Sequence, residues 1–456
     1  MSKRLFKIRQ TGNAQLFLFP NARHSKRGSQ RASQTAGWLA KEPRHNVWKQ
    51  GWPLTSLLVG LLSLVLLLWV GLLGAYQLTV VLPEETYLAS QQGIWQDWNV
   101  RQMNFQTEQE FMLAEQRLQR YQRQDLYQNN PIPAYLLASL YEATDRLDDA
   151  EQNYLQVIAL SQQSVLNQVL YHPYAADAHA SLTLIYARQQ RTESALAHWR
   201  QLKDNHIQER PQSLLLSAVG RVLQEPERAD YQFQLGSEYY HSLQFAEARQ
   251  AFQQAVSLSH DPVLKQQAQD YLSYRMPANE SQVTPLVRYW TLAGASQALD
   301  ENYELAIPLL QQAIKAAPQF EWPYHYLALV YHYRQQEPQA LAYAHQAAHA
   351  NPNYLFPYLT LGDVEMGRAN YFKAIRHFEK ALKVSAHWLG ESAEDERMLA
   401  NLRNQLGFAY EQIGRQVQAA EQYRLALQTA RQQTDDYRYA EMAVARLEKR
   451  IAQKRG

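Results

Sequence analysis

The chain has 456 residues, of which 46% are hydrophobic and 11% aromatic, with 29 Tyr; that exceeds one compact core and excludes wholesale disorder. It has no cysteine, which excludes disulfide staples, thiolate metal sites and cysteine nucleophiles. The net charge of +2 hides an asymmetry, because residues 1–52 hold 11 Lys/Arg and one acid, Glu42 (net +10), whereas the remainder holds 34 Lys/Arg against 42 Asp/Glu (net −8).

Residues 1–50 are polar and basic with weak hydrophobic periodicity, and read as a mostly disordered tail. Its charge is expected to set orientation at a membrane. Contact with anionic lipid headgroups is a further expectation, at about 1 kcal/mol per basic residue near the surface. Basic composition alone does not argue for nucleic acid, and no nucleic-acid partner is expected.

No charged residue lies between Lys49 and Glu84. Within that gap Leu54–Tyr76 carries 11 Leu in 23 residues. As a helix it spans about 35 Å, enough to cross a hydrocarbon core of about 30 Å. At about −0.5 kcal/mol each, the leucines favour insertion by roughly 5 kcal/mol. A single transmembrane helix is therefore predicted over 52–78. The basic region and the apolar run are both too long for a cleaved signal, and no A-x-A follows. Basic residues precede the span and none lies between Gln77 and Asn99. The N-terminus is thus expected in the cytoplasm and the C-terminal part outside it, on the periplasmic side of a bacterial inner membrane. Ser56/Gly60 and Gly71/Ala75 are small-x3-small pairs that fit helix pairing in a membrane.

Residues 84–128 read as membrane-proximal helices, with Phe111, Ala114, Leu118 and Tyr121 on one face. Trp98, Phe105, Ala114, Leu118 and Tyr121 outline a degenerate first unit of a repeat. The repeat itself is clearest over Val287–Lys383. There Trp290, Tyr324 and Tyr358 stand 34 residues apart, as do Ala306, Ala340 and Ala374, and again Ala313, Ala347 and Ala381. Counted from the start of each unit, residue 4 is aromatic, 8 is Gly or Ala, 20 and 27 are Ala, and Pro318 and Pro352 fall at residue 32. Small residues at 8 and 20 let two antiparallel helices approach closely, and large ones at 4, 7, 11 and 24 fill the space beside them. The proline ends the second helix.

The same frame extends in both directions. Unit one runs from Pro131, unit two from Ala176 and unit three from Ala229, so that 131–260 holds three units. The excess length includes Pro211–Leu223, read as an additional packed helix. Asp261-Pro262 reads as a helix start reaching about Tyr274, inside an inserted segment 261–286. Units four to seven occupy 287–432, with unit seven from Ala400 and an insertion near Val384–Met398. Residues 433–456 hold a capping helix over about Asp435–Ala452.

This pattern resembles the tetratricopeptide repeat, and the resemblance covers roughly residues 95–456. Ala344, Gln297 and Glu365 depart from it, where Phe, Tyr and Tyr are usual. The fold class it implies is all-α: a right-handed solenoid of about seven to eight helical hairpins, preceded by the membrane helix. It also implies a concave groove lined by residues 2, 5, 9, 12 and 13 of each first helix. In this chain the candidate peptide-binding residues are Tyr135, Arg188, Phe233, Tyr240, His241, Arg288, His325, His332 and Tyr333. One subclass of the family grips chaperone C-terminal carboxylates with Lys and Asn, and no such Lys cluster exists here. An aromatic and His-rich lining suits an extended or helical peptide.

Reactive constellations are missing from the sequence. There is no G-x4-G-K-[ST], no G-x-S-x-G and no H-E-x-x-H. His345 and His349 have a metal-compatible spacing but no third ligand nearby, and read as surface or packed histidines. Asp145, Asp148 and Asp149 sit at a helix start, where they suit the helix dipole. No catalytic residue, cofactor or metal is expected. The expectation is a membrane-anchored, non-enzymatic scaffold that binds a protein or peptide and assembles a membrane or envelope complex. The alternative is a regulatory or substrate-positioning subunit of a cell-envelope polysaccharide or cell-wall synthesis enzyme.

Overall fold

The computed structural model describes residues 105, 107–124, 128–164, 167–168, 171–202, 213–390, 392–432 and 434–455. The expected tail over 1–50 and the expected span over Leu54–Tyr76 lie outside these residues. No helix among the described residues is long and apolar enough to cross a membrane. The described residues form eighteen α-helices and no strand, in an all-helical, tetratricopeptide-like solenoid.

Helix α1 (Glu108–Gln122) precedes seven hairpins. Unit one is α2 (Ile132–Ala143) and α3 (Leu147–Gln162); unit two is α4 (His172–Arg188) and α5 (Thr192–Trp199). An extra helix, α6 (Ser213–Gln224), leads to unit three, α7 (Ala229–His241) and α8 (Phe245–Leu258). A second extra helix, α9 (Pro262–Asp270), runs on into a π-helical turn, Tyr271–Arg275. Unit four is α10 (Pro285–Leu299) and α11 (Tyr303–Ala316), and unit five is α12 (Glu321–Tyr333) and α13 (Glu337–Ala350). Unit six is α14 (Leu355–Gly367) and α15 (Tyr371–Ser385), and unit seven is α16 (Ala393–Gln412) and α17 (Gln416–Thr429). Helix α18 (Asp435–Arg455) closes the array.

One backbone feature fixes the register of every hairpin. Asp145, Gln190, Leu243, Glu301, Gln335, Ala369 and Gly414 have φ between 57° and 78°. Each is residue 15 of its unit, counted from Pro131, Ala176, Ala229, Val287, Glu321, Leu355 and Ala400. The left-handed residue turns the next N–H back to the carbonyl of residue 11. Arg146 N–H thus donates to Tyr141 O at 2.8 Å, Gln244 to Tyr239 at 2.9 Å and Arg415 to Tyr410 at 2.9 Å. Six of the seven residues carry a Cβ, a conformation that costs an L-residue about 1–2 kcal/mol.

Packing inside the hairpin follows from residues 8 and 24. Gly236, Gly294, Gly362 and Gly407 lie against Phe252, Leu310, Phe378 and Tyr423 respectively. A Cβ on Gly236 would stand 2.8 Å from the Phe252 ring, and one on Gly407 2.9 Å from Tyr423. Unit two has Thr183 at residue 8, and its Trp199 instead lies over Gly220 of α6. That contact explains why an extra helix is tolerated there. In unit five both partners are small, Ala328 and Ala344; the flanking Tyr331 and Tyr343 rings stack at 5.3 Å.

Between units one recurring trio joins neighbours. Tyr141 OH donates to Glu115 at 3.1 Å, and Arg146 covers the Tyr141 ring at 4.2 Å while pairing with Glu115 at 2.9 Å. Tyr186, Glu151 and Arg191 repeat the arrangement, with distances of 2.9, 4.2 and 2.7 Å. Asp261 caps α9 by accepting from Val263 N–H at 2.9 Å.

Candidate interaction site

The first helices of units four to six present residues 2, 5 and 34 on one face, the face on which a ligand groove is expected. That face is covered by the first half of the same chain. Arg288, residue 2 of unit four, stands 3.6 Å from Asp145 in the turn of unit one. Arg188 pairs with the same carboxylate and with Glu247, both at 2.8 Å. Burial, then the neighbouring Arg188, pulls the Arg288 guanidinium below its ordinary range. Asp145 thus serves as a cross-unit ion partner, where the sequence suggested only a helix-dipole role.

Beside this pair the chain is clipped a second time. Phe105, 1% exposed, donates its N–H to Tyr289 OH at 3.0 Å. Its carbonyl accepts from Trp290 Nε1 at 3.1 Å. Further along, Tyr240 and Phe245 of unit three meet the Trp322 ring at 5.6 and 6.5 Å. At the far end Arg275 lies over Trp388 at 5.6 Å and donates from Nε to His387 O at 2.5 Å. A continuous aromatic seam results: Phe320, Tyr354 and Trp388 are residue 34 of units four, five and six, with Trp322 and Tyr354 stacked at 6.3 Å.

Three buried titratable groups sit in or near the seam. Glu321 is 1% exposed; burial raises its carboxyl to about 7, although it accepts from Asn351 Nδ2 at 3.0 Å. His325 is also 1% exposed, and burial drives its imidazole down to about 3. Asp363 is raised to about 7 by burial, with a hydrogen bond from Gln405 opposing the shift.

The nine candidate groove residues divide accordingly. Arg188 and Arg288 come together around Asp145. Phe233, Tyr240 and His241 come together around Tyr271, with Phe233–Tyr271 at 5.9 Å, Tyr240–Tyr271 at 5.1 Å and His241–Tyr240 at 5.5 Å. His325 is enclosed between Tyr354 and Phe356, both at 5.5 Å. Tyr135 stands apart, packed on Tyr174 at 5.2 Å. His332 and Tyr333 are half-buried neighbours at 5.7 Å. Burial lowers His332, and burial followed by the Asp363 charge raises Tyr333 to about 12. The residues missed by sequence reasoning are Glu247, Tyr271, Arg275, His387 and Trp388. Only Trp388 left a signal, as the third step of the 34-residue aromatic series.

Residues 134–164 match the sequence model of the tetratricopeptide repeat. No curated protein matches the chain. Among solved structures, a thermophilic tetratricopeptide protein of Thermus thermophilus is similar at 19% identity and a TM-score of 0.29, over 48% of this chain and 100% of its own. YrrB, a tetratricopeptide protein with an unusual peptide-binding site, is similar at 16% identity and a TM-score of 0.28, over 50% and 97%. The TPR2AB domain of yeast Sti1, in complex with pHSP90, is similar at 14% identity and a TM-score of 0.25, over 61% and 98%.

Proposed function

We propose that this chain is a non-enzymatic scaffold for protein–protein interaction, anchored in a membrane through Leu54–Tyr76 with its helical array outside the cytoplasm. The observation that carries the reading is the array of seven hairpins in one register. Such an array builds an extended surface of repeated helix faces rather than a reaction cleft. The leucine-rich span and the opposite charges on its two sides support the anchor and its direction. The part of the expected groove that the seam does not take up is the edge carrying His332, Tyr333 and Asp363, because Tyr240, Arg288 and His325 are committed to the seam. The occupant is a protein segment, and the role is assembly of a membrane or envelope complex. Anionic lipid at the basic tail completes the set of contacts.

Two measurements test this. A reporter enzyme active only outside the cytoplasm, fused after Gly456, should give signal; silence from a stably expressed fusion overturns the orientation. Crosslinking on intact membranes should capture a protein partner, and a His332→Ala/Tyr333→Ala variant with an unchanged melting temperature should capture at least fivefold less. Equal capture removes this edge from the reading. Turnover of a small substrate, abolished by a point change in the array, overturns the scaffold itself.

A further inference from the structure

The π-helical turn Tyr271–Arg275 is where α9 departs from regular geometry, closed by Met276 N–H to Tyr271 O at 3.1 Å. Such turns often mark functional positions in helices. Here the wide turn presents two successive side chains, Tyr274 and Arg275, to a segment more than a hundred residues away. Tyr274 stacks on His387 with ring centroids 3.8 Å apart and planes at 13°. Arg275 donates to the His387 carbonyl and lies between the Tyr271 ring at 4.0 Å and the Trp388 ring at 5.6 Å. Asp270 reaches His387 Nδ1 at 3.1 Å.

The receiving side is built by the repeat. Trp388 continues the aromatic series of Phe320 and Tyr354, and its indole N–H is pinned to the Asn353 carbonyl at 2.6 Å. It thus offers a fixed aromatic face beside a backbone acceptor, which together suit one planar cation. The giving side is held less firmly: Tyr274 is 38% exposed, and the His387 side chain is exposed to the same extent.

We propose that His387 and Trp388 form a recognition site for a protein segment carrying a tyrosine immediately followed by an arginine, and that the π-turn occupies this site as a built-in competitor. The inference rests on the scaffold reading and names the chemistry of its partner. A competitor in the same chain acts at an effective concentration of about millimolar. A segment in trans therefore gains the site only when the turn is weakened or the segment binds tightly.

The test uses the full chain purified in mild detergent and a fluorescently labelled peptide with the sequence of Asp270–Met276. In anisotropy titrations a Tyr274→Ala/Arg275→Ala variant should bind this peptide at least tenfold more tightly than the unchanged protein. Adding His387→Ala to that variant should reduce binding at least tenfold, and a peptide with Glu in place of the arginine should not bind. Tyr274→Ala alone alters an exposed side chain and should give a smaller gain, which protects the test if the double variant folds poorly. Equal affinity for variant and unchanged protein overturns the proposal, as does absence of saturable binding to a variant with native helicity and melting. Peptide binding without any captured cellular partner would sink only the scaffold reading.

Discussion

Arg288 and Asp145 lie 3.6 Å apart, joining the second residue of unit four to the left-handed turn of unit one. Both guanidinium groups at this corner are largely buried, with 10% of the Arg288 and 12% of the Arg188 side chain exposed. Arg288→Ala removes one of two cations from Asp145 and leaves Arg188 in place. The expected loss is about 1–2 kcal/mol. Because the pair bridges two halves of the chain, the melt should broaden or split. A single unshifted transition in calorimetry would show that the corner contributes nothing.

Gly362 and Gly367 both lie on α14 and should respond oppositely to alanine. A Cβ at 362 would run into the Phe378 ring, whereas nothing lies within 4 Å of one at 367. Overpacking of this kind costs about 1–3 kcal/mol, while alanine in an open helical position gains about 0.5–1 kcal/mol. Chemical denaturation of Gly362→Ala and Gly367→Ala measures both signs.

The turns offer a matching pair. Ala369 is exposed at φ 57° and Gly414 lies at φ 78°. Ala369→Gly should stabilise the protein and Gly414→Ala should destabilise it, each by about 1 kcal/mol. Equal and unchanged midpoints for both would contradict the left-handed assignment.

Glu321 gives a pH signature. Its folded value of about 7 lies above the ordinary carboxylate value, so the folded state holds a proton that the unfolded chain releases. This carboxyl therefore exerts no penalty in acid, and it lowers stability progressively as pH rises from about 4 to about 7. Glu321→Gln retains an acceptor for Asn351 and cannot ionise. The variant should match the unchanged protein near pH 4 and melt higher at pH 8. His325 works in the other direction: depressed to about 3, it lowers stability as pH falls below about 6.5, in variant and parent alike. A melting difference independent of pH would refute the assignment to Glu321.

The hairpins were legible because their determinants are local. Small residues at 8 and 20 and a proline at 32 set the frame, and the backbone uses the same frame at residue 15 in all seven units. Even the departures have local explanations: Gln297 and Glu365, in place of tyrosine, accept side-chain hydrogen bonds from Asn302 and Asn370 at 3.0 and 2.6 Å. The seam was not legible, because it depends on how far the stack curves and on which loops meet. Arg275 has no periodic partner, and nothing in its neighbours announces His387, 112 positions away. Tyr240 and His325 carried the right chemistry for a groove, yet the same aromatic character suits them to burial against the chain itself. An experiment that changes Phe233, Tyr240 and His332 together would therefore read stability as well as binding.

The double clasp on Phe105 has a mechanical consequence. Tension applied to the chain ahead of residue 105 does not first peel α1 from the end of the stack. It is delivered through two hydrogen bonds to the middle helix α10. The body would hang from its midpoint, and a pull strong enough to part Phe105 from Tyr289 and Trp290 would begin by prising the two halves from each other.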